Sequence, residues 1–146
     1  MGTYSFMDVT ATIVGPTGVI TLGYGEATAE EGIVIARAND TNTMTIGSDG
    51  EGMHSLHADK SGQVTIRYLK TAPNNAKLMA MYDAQRLSSA LWGKNLIEIS
   101  QTASGDIITA RSCAFKKPPN ITYAKEGDIL EWVFDTIKID SLLGTY

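Results

Sequence analysis

Alternating apolar and polar residues mark the start of the chain. The segment FMDVTATIV (6–14) alternates in this way, which is typical of a strand with one buried face. The next four residues, GPTG (15–18), favour a turn, because proline fixes one backbone angle and glycine tolerates unusual ones. The segment VITLGYG (19–25) then predicts the returning strand of a hairpin.

Three further apolar segments precede the middle of the chain and predict strands. They are GIVIARA (32–38), TNTMTIG (41–47) and QVTIRYLK (63–70). A polar, glycine-rich stretch (47–62) lies between the last two. Hairpin connections are usually two to five residues long, so this stretch predicts an unusually long loop between two strands.

One segment has helical periodicity. In APNNAKLMAMYDAQRLSS (72–89), the larger apolar residues and one glutamine recur at helical spacing. These residues are Leu78, Met79, Met81, Tyr82 and Gln85. Pro73 is a start signal, so we predict one helix at about 73–88. An isolated helix of this length is marginal in water, and we therefore expect it to pack on a sheet.

Strand patterns resume after the predicted helix. They cover NLIEISQ (95–101), IITARSCAFKK (107–117) and ILEWVFDTIKID (129–140). The two prolines of KPPN (117–120) interrupt the pattern, because proline cannot donate to a β-ladder. We expect strand pairing to stop there.

The order of elements predicts the fold class. Several strands, one helix and several more strands favour a mainly β fold, an antiparallel β-sandwich or barrel with one packed helix. We expect a single domain over residues 1–146. In the last segment, the alternation places Ile137 and Ile139 opposite Trp132 and Phe134.

Composition and charge narrow the function classes. The chain has 43% hydrophobic residues, an ordinary value for a globular protein. Its net charge of −4 argues against tight, nonspecific binding of nucleic acid. The single cysteine, Cys113, excludes an internal disulfide and fits a reducing compartment. The sequence contains no apolar run of about 18 residues and no signal-peptide pattern at its start. We therefore expect a soluble protein that does not insert into a membrane.

Both histidines lie in the predicted loop, which raises the question of a metal site. Counted from Asp49, the twelfth residue is Lys60, where a calcium-binding loop requires an acid. His54 and His57 have a spacing that suits zinc, but Cys113 is the only other residue of that ligand type. We expect no metal ion and no cofactor.

Catalysis and ligand binding have weaker signals. Two histidines close together in a loop are a poor general base for a triad, and no pair of carboxylates stands out, so we expect no enzyme activity. The larger aromatic side chains lie in strand patterns that favour burial in the core. Stacking of these side chains on a bound ligand is the alternative. These residues are Tyr68, Trp92, Trp132 and Phe134. A ligand-binding β-sandwich therefore remains an alternative.

Three stretches together resemble the tail tube proteins of bacteriophages with contractile tails. They are GTYSFMDVTATIVGP (2–16), NTMTIGSDGEGMHSLHADKSGQVTIRYLKTAPNNAKL (42–78) and AFKKPPNITYAKEGDILEWVFD (114–135). The resemblance extends over nearly the whole chain. It implies a tail tube-like fold in which strands line a lumen and a helix packs outside.

The resemblance also implies a function. Such a subunit forms hexameric rings that stack into a hollow tube inside a sheath, and the tube conducts DNA into the host. The expected partners are further copies of the chain, the tail sheath, the baseplate initiator and the tape measure protein. DNA is expected to pass without specific binding, and the protein to belong to the virion tail after assembly in the host cytoplasm. The alternatives are a terminator or baseplate subunit, or a type VI secretion or bacteriocin tube.

The long loop is the best candidate for a contact between stacked rings, because its length lets it reach a neighbour. Its glycines permit the backbone angles that a projecting segment needs. The candidate contact residues are Ser48, Asp49, Glu51, Met53, His54, Leu56, His57, Asp59 and Lys60.

Overall fold

The structure, a computed structural model, describes residues 2–25 and 28–146. A single 3-10 turn, Phe6–Asp8, precedes the first strand. The strands and helix are β1 Val9–Gly15, β2 Gly18–Thr21, β3 Thr28–Arg37, β4 Asn42–Ile46, β5 Gly52–Leu56, β6 Gly62–Leu69, α1 Pro73–Gln85, β7 Asn95–Gln101, β8 Asp106–Lys117 and β9 Ile129–Leu142. The expected mainly β fold with one packed helix is confirmed.

Seven strands form one continuous antiparallel sheet. Its order is β2-β1-β7-β8-β9-β6-β3, so the longest strands, β8 and β9, lie near its middle. The predicted first hairpin is confirmed, with Val14 opposite Val19 and Gly15 opposite Gly18. Strands β4 and β5 pair only with each other, outside this sheet.

The sheet curls until its distant strands touch. Tyr68 of β6 donates a hydrogen bond from its hydroxyl to the carbonyl of Leu22, just after β2, at 2.8 Å. In the sheet order, four strands separate β6 from β2. The inward side chains of both ends therefore share one core. Its largest fully buried apolar members are Ile13, Leu22, Ile66, Tyr68, Leu78, Ile97, Trp132, Phe134 and Ile139.

Helix α1 begins where the sequence predicts, with Pro73 in its first turn. It ends at Gln85 and not at residue 88. The reason is local: Ser88 accepts a hydrogen bond on its hydroxyl from the amide of Ala90, which favours a turn over further helix. Leu78 and Met81 point into the core. Among the described residues, no helix is long and apolar enough to cross a membrane.

Two buried amides join the end of the helix to the start of β7. Gln85 Nε2 donates to Asn95 Oδ1 at 2.6 Å, and Asn95 Nδ2 donates back to Gln85 Oε1 at 2.9 Å. Both side chains are buried. A Cβ on Gly15 would collide with Asn95 Oδ1, so the end of β1 also passes close to this pair.

A β-bulge changes which residues of the long strands face the core. Residues 111 and 112 of β8 stand opposite the single Leu96 of β7. Ser112 adopts a positive φ of 55° there. In β8 the buried positions shift from Ala110 to Cys113. In β9 they shift from Thr136 to Ile139, which are the cross-strand partners of Cys113 and Ala110.

The sequence did not predict β5. The loop expected over residues 47–62 is wrong for Gly52–Leu56, because these five residues form a strand that pairs with β4. Regular alternation is absent there, since glycine, histidine and serine occupy three of the five positions. The segment is therefore a hairpin with a short return, and not a loop without regular structure.

Candidate assembly interface

The β4–β5 hairpin closes in a tight turn. The amide of Gly47 donates to the carbonyl of Glu51 at 2.7 Å, and the amide of Glu51 donates to Asp49 Oδ1 at 3.1 Å. Gly50 has a φ of 89°, which glycine adopts without strain. The turn thus fixes the register in which Ile46 lies opposite Gly52.

This register divides the hairpin into two faces of different character. Directly opposed residues share a face of a two-stranded sheet. One face, here named the apolar face, consists of Asn42, Met44, Ile46, Gly52, His54 and Leu56. The other face consists of Thr43, Thr45, Met53 and Ser55.

The apolar side chains of the hairpin are open to solvent. The exposed fractions are 60% for Met44, 55% for Ile46, 61% for Met53 and 84% for Leu56. A two-stranded hairpin without a core is only marginally stable in water. Contiguous exposed apolar groups are typical of interaction sites, which makes the hairpin the candidate here.

The base of the hairpin is tied to β9. Arg37 donates from its guanidinium to the carbonyl of Ile139 at 2.6 Å and to the hydroxyl of Ser141 at 3.1 Å. The amide of Ile139 donates to the carbonyl of Lys60 at 2.9 Å. Lys60 also forms an ion pair with Asp140 at 3.3 Å, and it lowers the pKa of that carboxyl. The hairpin thus leaves the sheet from a fixed point.

Asp59 fixes the return segment after β5. Its carboxylate accepts from the amide of Ser61 at 2.8 Å and from Asn39 Nδ2 at 2.7 Å. Hydrogen bonds from Ser61 and then from Asn39 lower the pKa of Asp59 to about 2. The carboxylate of Asp59 therefore links the two segments at the base of the hairpin, the one before β4 and the one after β5.

The two histidines make separate contacts. His54 Nδ1 lies 3.1 Å from Asn42 Nδ2 on the apolar face, and His57 Nε2 lies 2.6 Å from Thr43 Oγ1. Cys113 is buried in the core, where its thiol lies 3.2 Å from Thr136 Oγ1. Across residues 2–25 and 28–146, no group of three or more His, Cys, Asp or Glu side chains could hold a metal ion.

The structure sorts the nine predicted contact residues into three groups. Ser48, Asp49 and Glu51 lie in or beside the turn; Met53, His54 and Leu56 lie in β5; His57, Asp59 and Lys60 lie at the base. The prediction missed Met44 and Ile46, which complete the apolar face. Their alternation with threonine in β4 was visible in the sequence, but only the register with β5 shows which face they share.

Solved structures with the same fold come from contractile injection systems. A chain of the PVC sheath/tube terminator in its extended state aligns with a TM-score of 0.65 and 11% identity, covering 97% of this chain and 98% of that chain. A chain of the anti-feeding prophage baseplate gives 0.64 and 8%, with coverages of 97% and 96%. A chain of the PVC sheath–tube complex in its extended state gives 0.57 and 10%, with coverages of 91% and 88%. The fold is therefore that of the structural tube and terminator proteins of such machines.

The family follows from the sequence itself. The profile of the family described as Bacteriophage PhiTE tail tube protein matches residues 1–144, and the chain belongs to that family. It is accordingly a structural protein of a phage-like tail and not an enzyme, which confirms the resemblance to tail tube proteins. A search of curated protein sequences gave no match.

Proposed function

We propose that the chain is the subunit of an inner tail tube, in which hexameric rings stack into a hollow conduit for DNA. The observation that carries the proposal is the β4–β5 hairpin. It projects from the sheet with Met44, Ile46 and Leu56 exposed on one face. The chain belongs to a family of tail tube proteins. A tube grows by contacts between identical subunits, and such contacts require a surface of this kind.

The contacts between rings are assigned to the hairpin and its base. The nine residues predicted from the sequence, together with Met44 and Ile46, form the proposed contact set. Burying each exposed apolar side chain contributes roughly 1–2 kcal/mol. The exposed ion pairs at the base contribute little to binding by comparison.

The net charge suits a conduit. With a net charge of −4, the subunit repels phosphate and does not retain it, so DNA passes through the lumen without specific binding. The proposed partners besides the chain itself are the sheath, the baseplate initiator and the tape measure protein. Similarity to a chain from a sheath–tube complex supports the first of these. The protein is assembled in the host cytoplasm and ends in the virion tail.

A terminator or baseplate subunit is the second candidate. Chains of a sheath/tube terminator and of a baseplate have this fold with TM-scores of 0.65 and 0.64. The polymer form separates the two roles. A tube subunit forms long stacks, whereas a terminator forms single rings.

Negative-stain electron microscopy of the purified protein at high concentration tests the proposal. We expect hollow tubes built from uniform rings, and top views that show sixfold symmetry. Single rings that never stack would favour the terminator. Protein that stays monomeric at every concentration, and also after purified baseplates are added as seeds, would overturn both roles.

A further inference from the structure

Strands β6 and β9 pair along their length. The β4–β5 hairpin lies at one end of this pair, and the connection between β8 and β9 (118–128) lies at the other end. At this end Leu69 pairs with Ile129, whereas at the hairpin end Gly62 pairs with Thr136. β6 has eight residues, so the two ends are about 25 Å apart at roughly 3.3 Å per residue. The hairpin and this connection are thus two separate surfaces on opposite ends of one subunit.

A groove with an apolar rim runs beside this connection. Its lining consists of one lysine, two acids and five uncharged residues, namely Lys117, Asp128, Glu131, Pro119, Asn120, Thr122, Ile129 and Val133. Three exposed apolar side chains neighbour the lining: Leu69 pairs with Ile129, and Ile121 and Tyr123 flank Thr122 in the chain. Tyr123 is held under the ammonium of Lys70, whose nitrogen is 5.4 Å from the ring centre.

The charges of the two ends are complementary. From Asn42 to Leu56 the hairpin carries two acids, Asp49 and Glu51, and no lysine or arginine. The groove end carries five basic residues against three acids. These are Arg67, Lys70, Lys116, Lys117 and Lys125 against Glu126, Asp128 and Glu131, and Arg67 forms an ion pair with Glu131 at 3.1 Å. Complementary charge orients two surfaces and suppresses wrong pairings.

We propose that this groove accepts the β4–β5 hairpin of a second copy of the chain. The inference rests on the proposed tube and names the partner surface of its inter-ring contact. Met44, Ile46 and Leu56 pack against the apolar rim, while the acidic turn approaches the lysines. Because the two surfaces differ and lie on opposite ends, the contact is heterologous and repeats along an axis without closing.

Another apolar patch is a poorer acceptor. Leu142 and Leu143 are exposed, but they follow the part of β9 that anchors the hairpin base through Ile139 and Lys60. A subunit that used this patch would place both contact surfaces at one end. Such an arrangement favours closed pairs over an open stack.

Disulfide trapping in assembled tubes tests the proposal. The native Cys113 is buried, and burial raises the pKa of its thiol, so it stays unreactive under mild oxidation. Leu56→Cys and Ile121→Cys are made as separate proteins, mixed in equal amounts, assembled and oxidised. We expect a covalent dimer on a non-reducing gel in the mixture, at least tenfold above the level in either protein alone.

Matched pairs distinguish the acceptor. Leu56→Cys is also mixed with Leu142→Cys and with Leu87→Cys, whose side chains are likewise exposed. Tubes that form but give the dimer with either of these, and not with Ile121→Cys, would overturn the proposed acceptor and leave the tube function standing. A dimer in Leu56→Cys alone would mean hairpin-to-hairpin contact and would also overturn it. Wild-type protein that forms neither rings nor tubes would instead overturn the tube function itself.

Discussion

At the scale of single residues, buried polar groups fix how the helix meets the sheet. Gln85 and Asn95 exchange two hydrogen bonds where neither side chain reaches water. Asn74 is also buried at the other end of α1, where its Nδ2 donates to the carbonyl of Thr21 at 2.6 Å and to the hydroxyl of Tyr68 at 3.2 Å. The orientation of α1 is therefore set by amides as well as by its apolar stripe.

Replacing Asn95 by alanine should destabilise the fold by about 2 kcal/mol. The variant leaves both polar ends of Gln85 buried with the amide partner gone, and an unsatisfied buried group costs roughly 1–3 kcal/mol. Urea unfolding measures the loss. Asn120→Ala, at an exposed position, is the control and should change stability by less than about 0.5 kcal/mol. Equal effects of the two substitutions would contradict the role of the amide pair.

The lowered pKa of Asp59 predicts a pH dependence at acid pH. Its folded pKa of about 2 lies below the ordinary aspartate pKa of 3.8, so its contribution to stability is present above about 3.8 and is lost as pH falls towards 2. The difference in unfolding free energy between wild type and Asp59→Asn should therefore shrink between pH 5 and pH 2. A difference that stays constant over this range would contradict the prediction.

The cause of that shift is open to a direct check. Asn39→Ala removes one hydrogen-bond donor to the carboxylate, and the pKa of Asp59 should rise towards its ordinary value. Titration of the carboxyl carbon by NMR measures both proteins. The amide of Ser61 remains as a donor in the variant, so we expect a partial rise.

At the scale of elements, the sequence predicted those with regular patterns and missed those without. β7 lies over Asn95–Gln101 as predicted, because its alternation is uninterrupted. In β9, by contrast, the alternation placed Ile139 opposite Trp132 and Phe134, yet all three are buried. The bulge at Ser112 shifts the buried face of the paired strands by one residue. A bulge depends on pairing with the neighbouring strand, so the sequence of the bulged strand alone carries no periodic signal of it.

The hairpin is the element whose function is easiest to separate from the fold. The triple variant Met44→Ser, Ile46→Ser, Leu56→Ser changes only exposed side chains, so unfolding of the monomer should shift by less than about 0.5 kcal/mol. Tube formation should need at least tenfold more protein, because the variant loses roughly 1–2 kcal/mol per apolar contact. Sedimentation of polymers against protein concentration measures this.

The opposite face of the hairpin offers a matched control. Thr45→Ala lies in the same strand but on the face that carries Met53 and Ser55. It should leave the concentration for tube formation unchanged. If the triple variant and Thr45→Ala assembled equally well, the apolar face would have no part in stacking.

At the scale of the whole molecule, local patterns cannot reveal which strands become neighbours. In the order β2-β1-β7-β8-β9-β6-β3, the edge strands β2 and β3 are consecutive in the chain, yet β1 and four later strands lie between them in the sheet. That arrangement depends on contacts such as Tyr68 with Leu22, which are 46 residues apart in sequence. The sequence indicated the fold class and the family; the topology and the apolar face required the structure.

The small size of the apolar face has a consequence for how a tube would start. One hairpin offers three large apolar side chains, too few to hold two free subunits together at ordinary concentrations. In the proposed hexameric tube, six such contacts on a completed ring would act as one multivalent surface, and the effective concentration within the ring would multiply their combined affinity. Under this proposal, lone subunits would stay apart in the cell, and growth would wait for a finished ring to serve as the template.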